Sequence, residues 1–313
     1  MSIAHHPVFI DTDMGLGTPG AEIDDGAALL VMLAARSIEV VGCGSVHGNV
    51  GLIEATHNLR RLLAAEGRGD LVVGRGAALP LIENPDWFAE WKAGYGPTEP
   101  FIGPEPLPAA TQVLIDSARA HPGALTVLAV GPLTNLALAA RLAPDIVPMV
   151  HEVVAMGGAF SADGAPQEAE AEFNARCDPE AAAIVLNAGW PVRLFGLDIT
   201  RRVHFSRADF AALGEARPTV ALLRRQAPGW IDRVEAQGWE HGGCSLHDAV
   251  AAAALLDETL ALYRTVDVAV ELWDPARRGA MRGTPNDAGP VRIAVDLDVM
   301  RCKDAIWSAV TGG

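Results

Sequence analysis

Four aspartates dominate the start of the chain. Asp11 and Asp13 follow the apolar run Val8-Phe9-Ile10, and Asp24-Asp25 opens the apolar segment 27–33. An apolar run ending in acid, a Gly/Pro-rich loop, and acid opening a second apolar run predict strand, loop and helix. All four carboxylates then meet where a strand ends and a helix begins. The positive end of a helix dipole offsets only part of such a charge. A hard cation with oxygen ligands offsets more, and Ca²⁺ is the natural candidate. A single aspartate here could be a plain cap, but like charges held this close are costly unless something binds them. An EF-hand loop begun at Asp11 fails, because Gly15 and Leu16 fall where a ligand and the invariant glycine belong. A phosphotransferase using Asp11 as nucleophile and Asp13 as acid/base stays open on these residues alone.

The elements that must position these acids follow from the rest of the chain. Short apolar runs at 8–10, 39–42, 71–73, 126–130, 152–156 and 192–197 alternate with helical stretches at 52–65, 109–120, 134–142 and 179–186. This rhythm predicts an α/β fold, an open and mainly parallel sheet with helices on both faces. Later runs at 266–272 and 291–295 extend the sheet or make an antiparallel edge. Ligands in such folds bind beyond the carboxyl ends of the strands. Those ends here carry Asp11 and Asp13, His47-Gly48-Asn49, Gly131 to Asn135, Gly157-Gly158, and Asp198 with Thr200. Thr134 or Asn135 also suits a helix cap.

Length and composition narrow the class. The 313 residues, half of them hydrophobic and free of low-complexity linkers, suit one domain over 1–313. A formal charge of −15 argues against nucleic-acid polymers and anionic membranes as partners, though not against a neutral ligand. Cys43, Cys177, Cys244 and Cys302 are widely spaced and read as reduced, buried thiols. With no signal peptide or membrane-spanning run visible, the expected location is the cytoplasm. Two segments, 82–100 and 217–244, look like lids. They hold Trp87, Trp91, Trp230 and Trp239, which either pack these loops onto the body or stack on an aromatic ring such as a nucleobase.

Two distal motifs complete the inventory. Glu172-Phe173-Asn174 is followed by Asp178-Pro179, in which Asp178 makes a plain N-cap with proline at the first helical position. Leu246-His247-Asp248 precedes a very apolar segment, so Asp248 sits at another helix start.

Taken in order, Asp11-Thr12-Asp13-x-Gly with Asp24-Asp25, Gly48-Asn49-Val50, Val130 to Asn135, Met156-Gly157-Gly158, Glu172-Phe173-Asn174 with Asp178-Pro179, and Leu246-His247-Asp248 resemble the inosine-uridine preferring nucleoside hydrolases. The resemblance spans roughly residues 7 to 310 and leaves no role for the phosphotransferase reading. It implies a Ca²⁺-dependent N-glycosidase acting on a nucleoside. Asp13, Asp25 and Asp248 would be ligands, with the backbone carbonyl of Val130. Asp24, Asn49, Glu172, Asn174 and Asp248 would hold the ribose, with Met156 lining the sugar and Asp11 orienting the loop. Asp13 would be the general base. His247 would be the general acid, and its ordinary pKa near 6.5 suits that task. Assembly as a homodimer or homotetramer is implied too. The rival expectations are a hydrolase of another N-ribosyl compound, or a Ca²⁺-dependent ribose- or nucleoside-binding protein with little turnover.

Three departures stand out. Relatives place a single residue between the glycine and the paired aspartates, whereas eight, 16–23, lie between Gly15 and Asp24 here. The inserted stretch brings Glu22 and either bulges outward, the expectation for the metal geometry, or reshapes the pocket. An asparagine common before Glu172 is missing, with Gln167 as a possible substitute. The first lid lacks the histidine of many pyrimidine-acting relatives.

Overall fold

The computed structural model describes residues 5–82, 87–161 and 171–312. In chain order the strands are β1 (His6–Thr12), β2 (Ile38–Ser45), β3 (Val73–Arg75), β4 (Leu125–Ala129), β5 (Val150–Met156), β6 (Val192–Phe195), β7 (His204–Ser206), β8 (Gly243–Ser245), β9 (Ala261–Val270), β10 (Met281–Pro285) and β11 (Val291–Leu297). The α-helices are α1 (Asp24–Ala34), α2 (Leu52–Ala65), α3 (Trp87–Trp91), α4 (Ala110–Ala120), α5 (Thr134–Leu142), α6 (Phe173–Cys177), α7 (Pro179–Leu186), α8 (Leu197–Thr200), α9 (Arg207–Ala211), α10 (Pro218–Ala236), α11 (His247–Leu256) and α12 (Val299–Thr311).

Among the described residues nine strands form one sheet in the order β10-β9-β11-β6-β5-β4-β1-β2-β3, and β7 and β8 form a separate antiparallel pair. β3 to β11 through β1 are parallel, whereas β9 runs antiparallel to both β11 and β10. The expected α/β class is therefore correct; of the two late runs, 291–295 extends the parallel sheet as β11, and 266–272 falls largely in the antiparallel strand β9. Strand order reverses at β1: β2 and β3 lie to one side, β4 to β6 to the other. This is the switch point beside which open α/β sheets bind ligands. Asp13 and Val130 follow the two strands that flank it.

Alternation along β1 sorts the core. Val8 and Ile10 join the apolar cluster of α1, α10, α11 and α12, while Phe9 joins that of α4, α5 and α7. Both faces of the central strands are thus buried, which is why they read as continuous apolar runs.

Several boundaries differ from the sequence reading. β6 stops at Phe195, because Gly196 turns the chain into α8 at Leu197. β3 begins at Val73, where it pairs with Cys43 of β2. The N-cap of α1 is Ile23, so Asp24 and Asp25 are its first helical residues and Asp24 is no cap. Neither Thr134 nor Asn135 caps α5, whose N-cap is Leu133. The second lid contains a 19-residue helix, α10. Asp178 caps α7 by accepting from Ala181 N at 3.0 Å, as expected. No described helix is long and apolar enough to cross a membrane, and all four cysteines are free and buried.

Candidate active site

The inserted stretch 16–23 folds inward, against expectation. Leu16, Ala21 and Ile23 are buried, and Leu16 packs so closely on Gly26 that a Cβ there would meet it at 2.2 Å. Asn58 of α2 donates to Met14 O and Thr18 Oγ1 at 3.0 Å each, and Gly17 N donates to Gln226 of α10 at 2.9 Å. Gly96 of the first lid donates to Pro19 O at 2.8 Å. The physical reason is local: two large apolar side chains, Leu16 and Ile23, gain more from the core than from solvent. The insertion also carries Glu22 to the wall of the central cavity.

The acids converge as their positions at the strand ends require. Asp24, Asp25 and Asp248 each offer an oxygen within 4.8 Å of the others. Asp24 accepts from Asp248 N at 3.2 Å, tying the start of α1 to that of α11. Asp25 accepts from Thr12 Oγ1, from Asn49 Nδ2 at 3.1 Å and from Gly15 N at 3.3 Å. Asp13 lies beside them and accepts from Asn49 N at 2.6 Å. This close approach requires glycine at position 48, which has φ +154° and no room for a Cβ, which would lie 2.0 Å from Asp13 Oδ2. Asp11 accepts from Asn135 Nδ2 at 2.9 Å, and Asn135 also bonds Ser45 O and Ala77 N, joining the ends of β1 and β2 to α5.

Electrostatics follow from burial. Desolvation first, and then the charge of Asp25, push Asp24 up to about 7. Asp13 and Asp248 are held well above the usual carboxylate range by burial and neighbouring acids, and Asp25 is raised by burial. Asp11 is raised to about 7 by burial alone against the Asn135 bond. The buried Asp13 Oδ1 and Asn49 Oδ1 have no hydrogen-bond partner among the described residues. An all-oxygen donor set with unmet lone pairs and crowded charge fits a hard cation.

Across the cavity, Glu172 caps α6. It accepts from Asn174 N at 2.8 Å and from Gly158 N and Ala175 N at 3.1 Å each, while burial lifts it to about 7. Asn174 Nδ2 lies 3.3 Å from both Val130 O and Met156 O. Asp24, Asn49, Val130, Met156, Glu172, Asn174, His247 and Asp248 thus line one cavity of about 250 Å³. Asp13 and Asp25 stand behind that wall, next to the liners Asn49 and Asp24.

All four lid tryptophans, Trp87, Trp91, Trp230 and Trp239, line the same cavity. Trp91 stacks on Trp239 at 5.4 Å and 17° and lies 4.3 Å from Phe173. His247 bonds Thr200 Oγ1 through Nδ1 at 2.7 Å and faces Glu240 through Nε2. Burial and then Arg201 push its pKa down to about 3, not the near-neutral value used in the sequence argument. Glu22, Arg201 and Glu240 are cavity residues that the sequence reading gave no role. Glu240 lies between Trp239 and the His247 motif, a proximity that could have flagged it. The position of Gln167 and the expected substitution there lie outside the described residues, as do lid residues 83–86.

Comparison with known proteins identifies the family. Residues 8–304 match the family described as inosine-uridine preferring nucleoside hydrolase. A non-specific ribonucleoside hydrolase RihC of Shigella boydii is 31% identical over 304 residues, covering 94% of this chain and 95% of its own. A probable uridine nucleosidase 2 of Arabidopsis thaliana is 30% identical over 308 residues, with 93% of each chain covered. A solved plant nucleoside hydrolase superposes with a TM-score of 0.81 at 26% identity, over 98% of this chain and 99% of its own. By sequence, fold and the acids gathered at the end of β1, the chain belongs to the inosine-uridine preferring nucleoside hydrolase family and is a hydrolase acting on N-glycosidic bonds.

Proposed function

We propose that the protein hydrolyses the N-glycosidic bond of ribonucleosides to free base and ribose with Ca²⁺ as its resident ion. The observation that carries this reading is the pair of unmet buried oxygens, Asp13 Oδ1 and Asn49 Oδ1, beside a tryptophan-walled cavity. Asp13, Asp25 and Asp248 would hold the ion with the carbonyl of Val130. Asp24, Asn49, Glu172, Asn174 and Asp248 hold the ribose hydroxyls, and Met156 lines the sugar. Ca²⁺ supplies a positioned and more acidic water. Asp13, whose buried Oδ1 has no partner among the described residues, is the group that would accept a proton from the attacking water as general base.

Cleavage of the bond builds positive charge on the ribose. Buried carboxylates stabilise that charge more than they stabilise the neutral substrate, so the acids lower the barrier and do not merely bind. The departing base takes the bonding electrons. His247 is neutral in its buried setting and donates a hydrogen bond to the base from Nε2, while Thr200 holds Nδ1.

Free ribose released from a panel of purine and pyrimidine nucleosides, with and without a Ca²⁺ chelator, tests this reading. Chelator-sensitive release is expected. No release from any nucleoside by protein that holds Ca²⁺ would leave a binding protein in its place.

A further inference from the structure

Glu240 has no part in the reaction as described above, yet it stands next to the one histidine nitrogen free to meet a substrate. Its Oε2 accepts from Ser245 Oγ at 2.9 Å, which fixes the carboxylate. Its Oε1 lies 3.7 Å from His247 Nε2. Both side chains are largely buried, and both line the cavity with Trp230 and Trp239. His247 Nδ1 is engaged with Thr200, so Nε2 is the ring nitrogen left to a substrate, and Glu240 Oε1 is the carboxylate oxygen beside it. A carboxylate beside Nε2 favours the tautomer with the proton there; the Thr200 hydroxyl, which has Gly196 O at 3.2 Å as its other acceptor, then turns its single proton to the nearer Nδ1 at 2.7 Å.

The result is a donor and an acceptor side by side, 3.7 Å apart. Adenine presents the matching edge, with N7 accepting and the 6-amino group donating. Hypoxanthine and guanine present N7 and O6, two acceptors, and would set O6 against a carboxylate. Pyrimidines have no counterpart of N7. We propose that His247 and Glu240 together read the N7/6-amino edge of the base, making Glu240 a specificity residue that favours 6-aminopurine nucleosides over their 6-oxo analogues. This rests on the N-glycosidase reading above.

The test compares kcat/KM for adenosine and inosine in the parent and in Glu240→Gln. The parent should favour adenosine by about tenfold or more, the worth of one well-made bidentate pair. Glu240→Gln can turn its amide N–H₂ to O6, so the ratio should fall to about one or invert. A ratio is read, so any general loss of activity in the variant cancels. Inosine turned over as well as adenosine by the parent, or the same ratio in parent and variant, would overturn the proposal. Calorimetric binding of free adenine and hypoxanthine to the Ca²⁺-equilibrated protein gives the same answer without turnover. If even p-nitrophenyl riboside is not cleaved, the hydrolase reading fails, while tighter adenine binding would still support the base-reading pair and equal binding would reject it.

Discussion

The carboxylate of Asp13 accepts the backbone N–H of Asn49 at 2.6 Å through Oδ2, while its buried Oδ1 has no partner among the described residues. One oxygen is thus pinned to the loop after β2 and the other left for chemistry. Asp13→Asn keeps the size and the pinned oxygen but removes the proton acceptor and one negative charge. Ribose release should fall by about 10²–10⁴-fold, the usual reach of a general base. The thermal midpoint of the chelator-treated variant should stay at or above the parent's, since one of several crowded charges is gone. Retained turnover would remove Asp13 from the mechanism.

Ion binding should appear in stability as well as activity. The crowded acids disfavour the folded state without a cation, so a cation that binds only the folded chain stabilises it by mass action. At a hundredfold excess over its dissociation constant the gain is about 2.7 kcal/mol, enough to raise the melting temperature by several degrees. Ca²⁺ titrated into chelator-treated protein should give that rise, read by calorimetry, with Mg²⁺ less effective because it sheds water reluctantly. An equal response to any added salt would argue against a specific site.

His247 should matter in proportion to how poor the leaving group is. His247→Ala should lower the rate with a natural nucleoside by about a hundredfold or more and change the p-nitrophenyl riboside rate much less. Steady-state rates on the two substrates decide it. Equal losses on both would mean that the ring holds the pocket together and does not assist departure.

His47, after β2, gives a pH signature in folding. Burial first, and then Lys92, lower its pKa from 6.5 to about 4. Its ring bonds Thr134, whose hydroxyl donates to Asp178. The unfolded chain therefore binds this proton first as pH falls from about 6.5 to 4, and stability drops across that window. Between pH 7.5 and 5 the loss is about 2 kcal/mol. Urea unfolding of the parent and of His47→Asn at the two pH values should show that extra loss only in the parent. Parallel losses would refute the assignment.

The readable parts of the sequence were those set by short-range rules. Asp178-Pro179 announced a helix start, and strands buried on both faces stood out as apolar runs. The acids could be found because they interrupt those runs where α/β sheets bind ligands. α10 was obscured by Pro228 and Gly229, although Val220, Leu223, Ala227, Trp230, Ile231 and Val234 repeat at helical spacing along its buried side. β10 is short and pairs only with β9, so its strand character depends on a neighbour distant in sequence. The inward packing of 16–23 depends on Asn58 of α2 and Gln226 of α10, whose bonds to it span 40 and 209 residues of sequence. The lowered pKa of His247 likewise arises from walls assembled by remote segments.

Trp91 carries a consequence for affinity. Its ring already has two aromatic partners, with centroids 4.3 Å away at Phe173 and 5.4 Å away at Trp239. A nucleobase that takes the place of either partner exchanges one aromatic contact for another. What the base gains is the difference between two stacks, not the whole of one. Stacking on Trp91 therefore adds little to affinity, and the choice among bases falls to the polar groups of the wall.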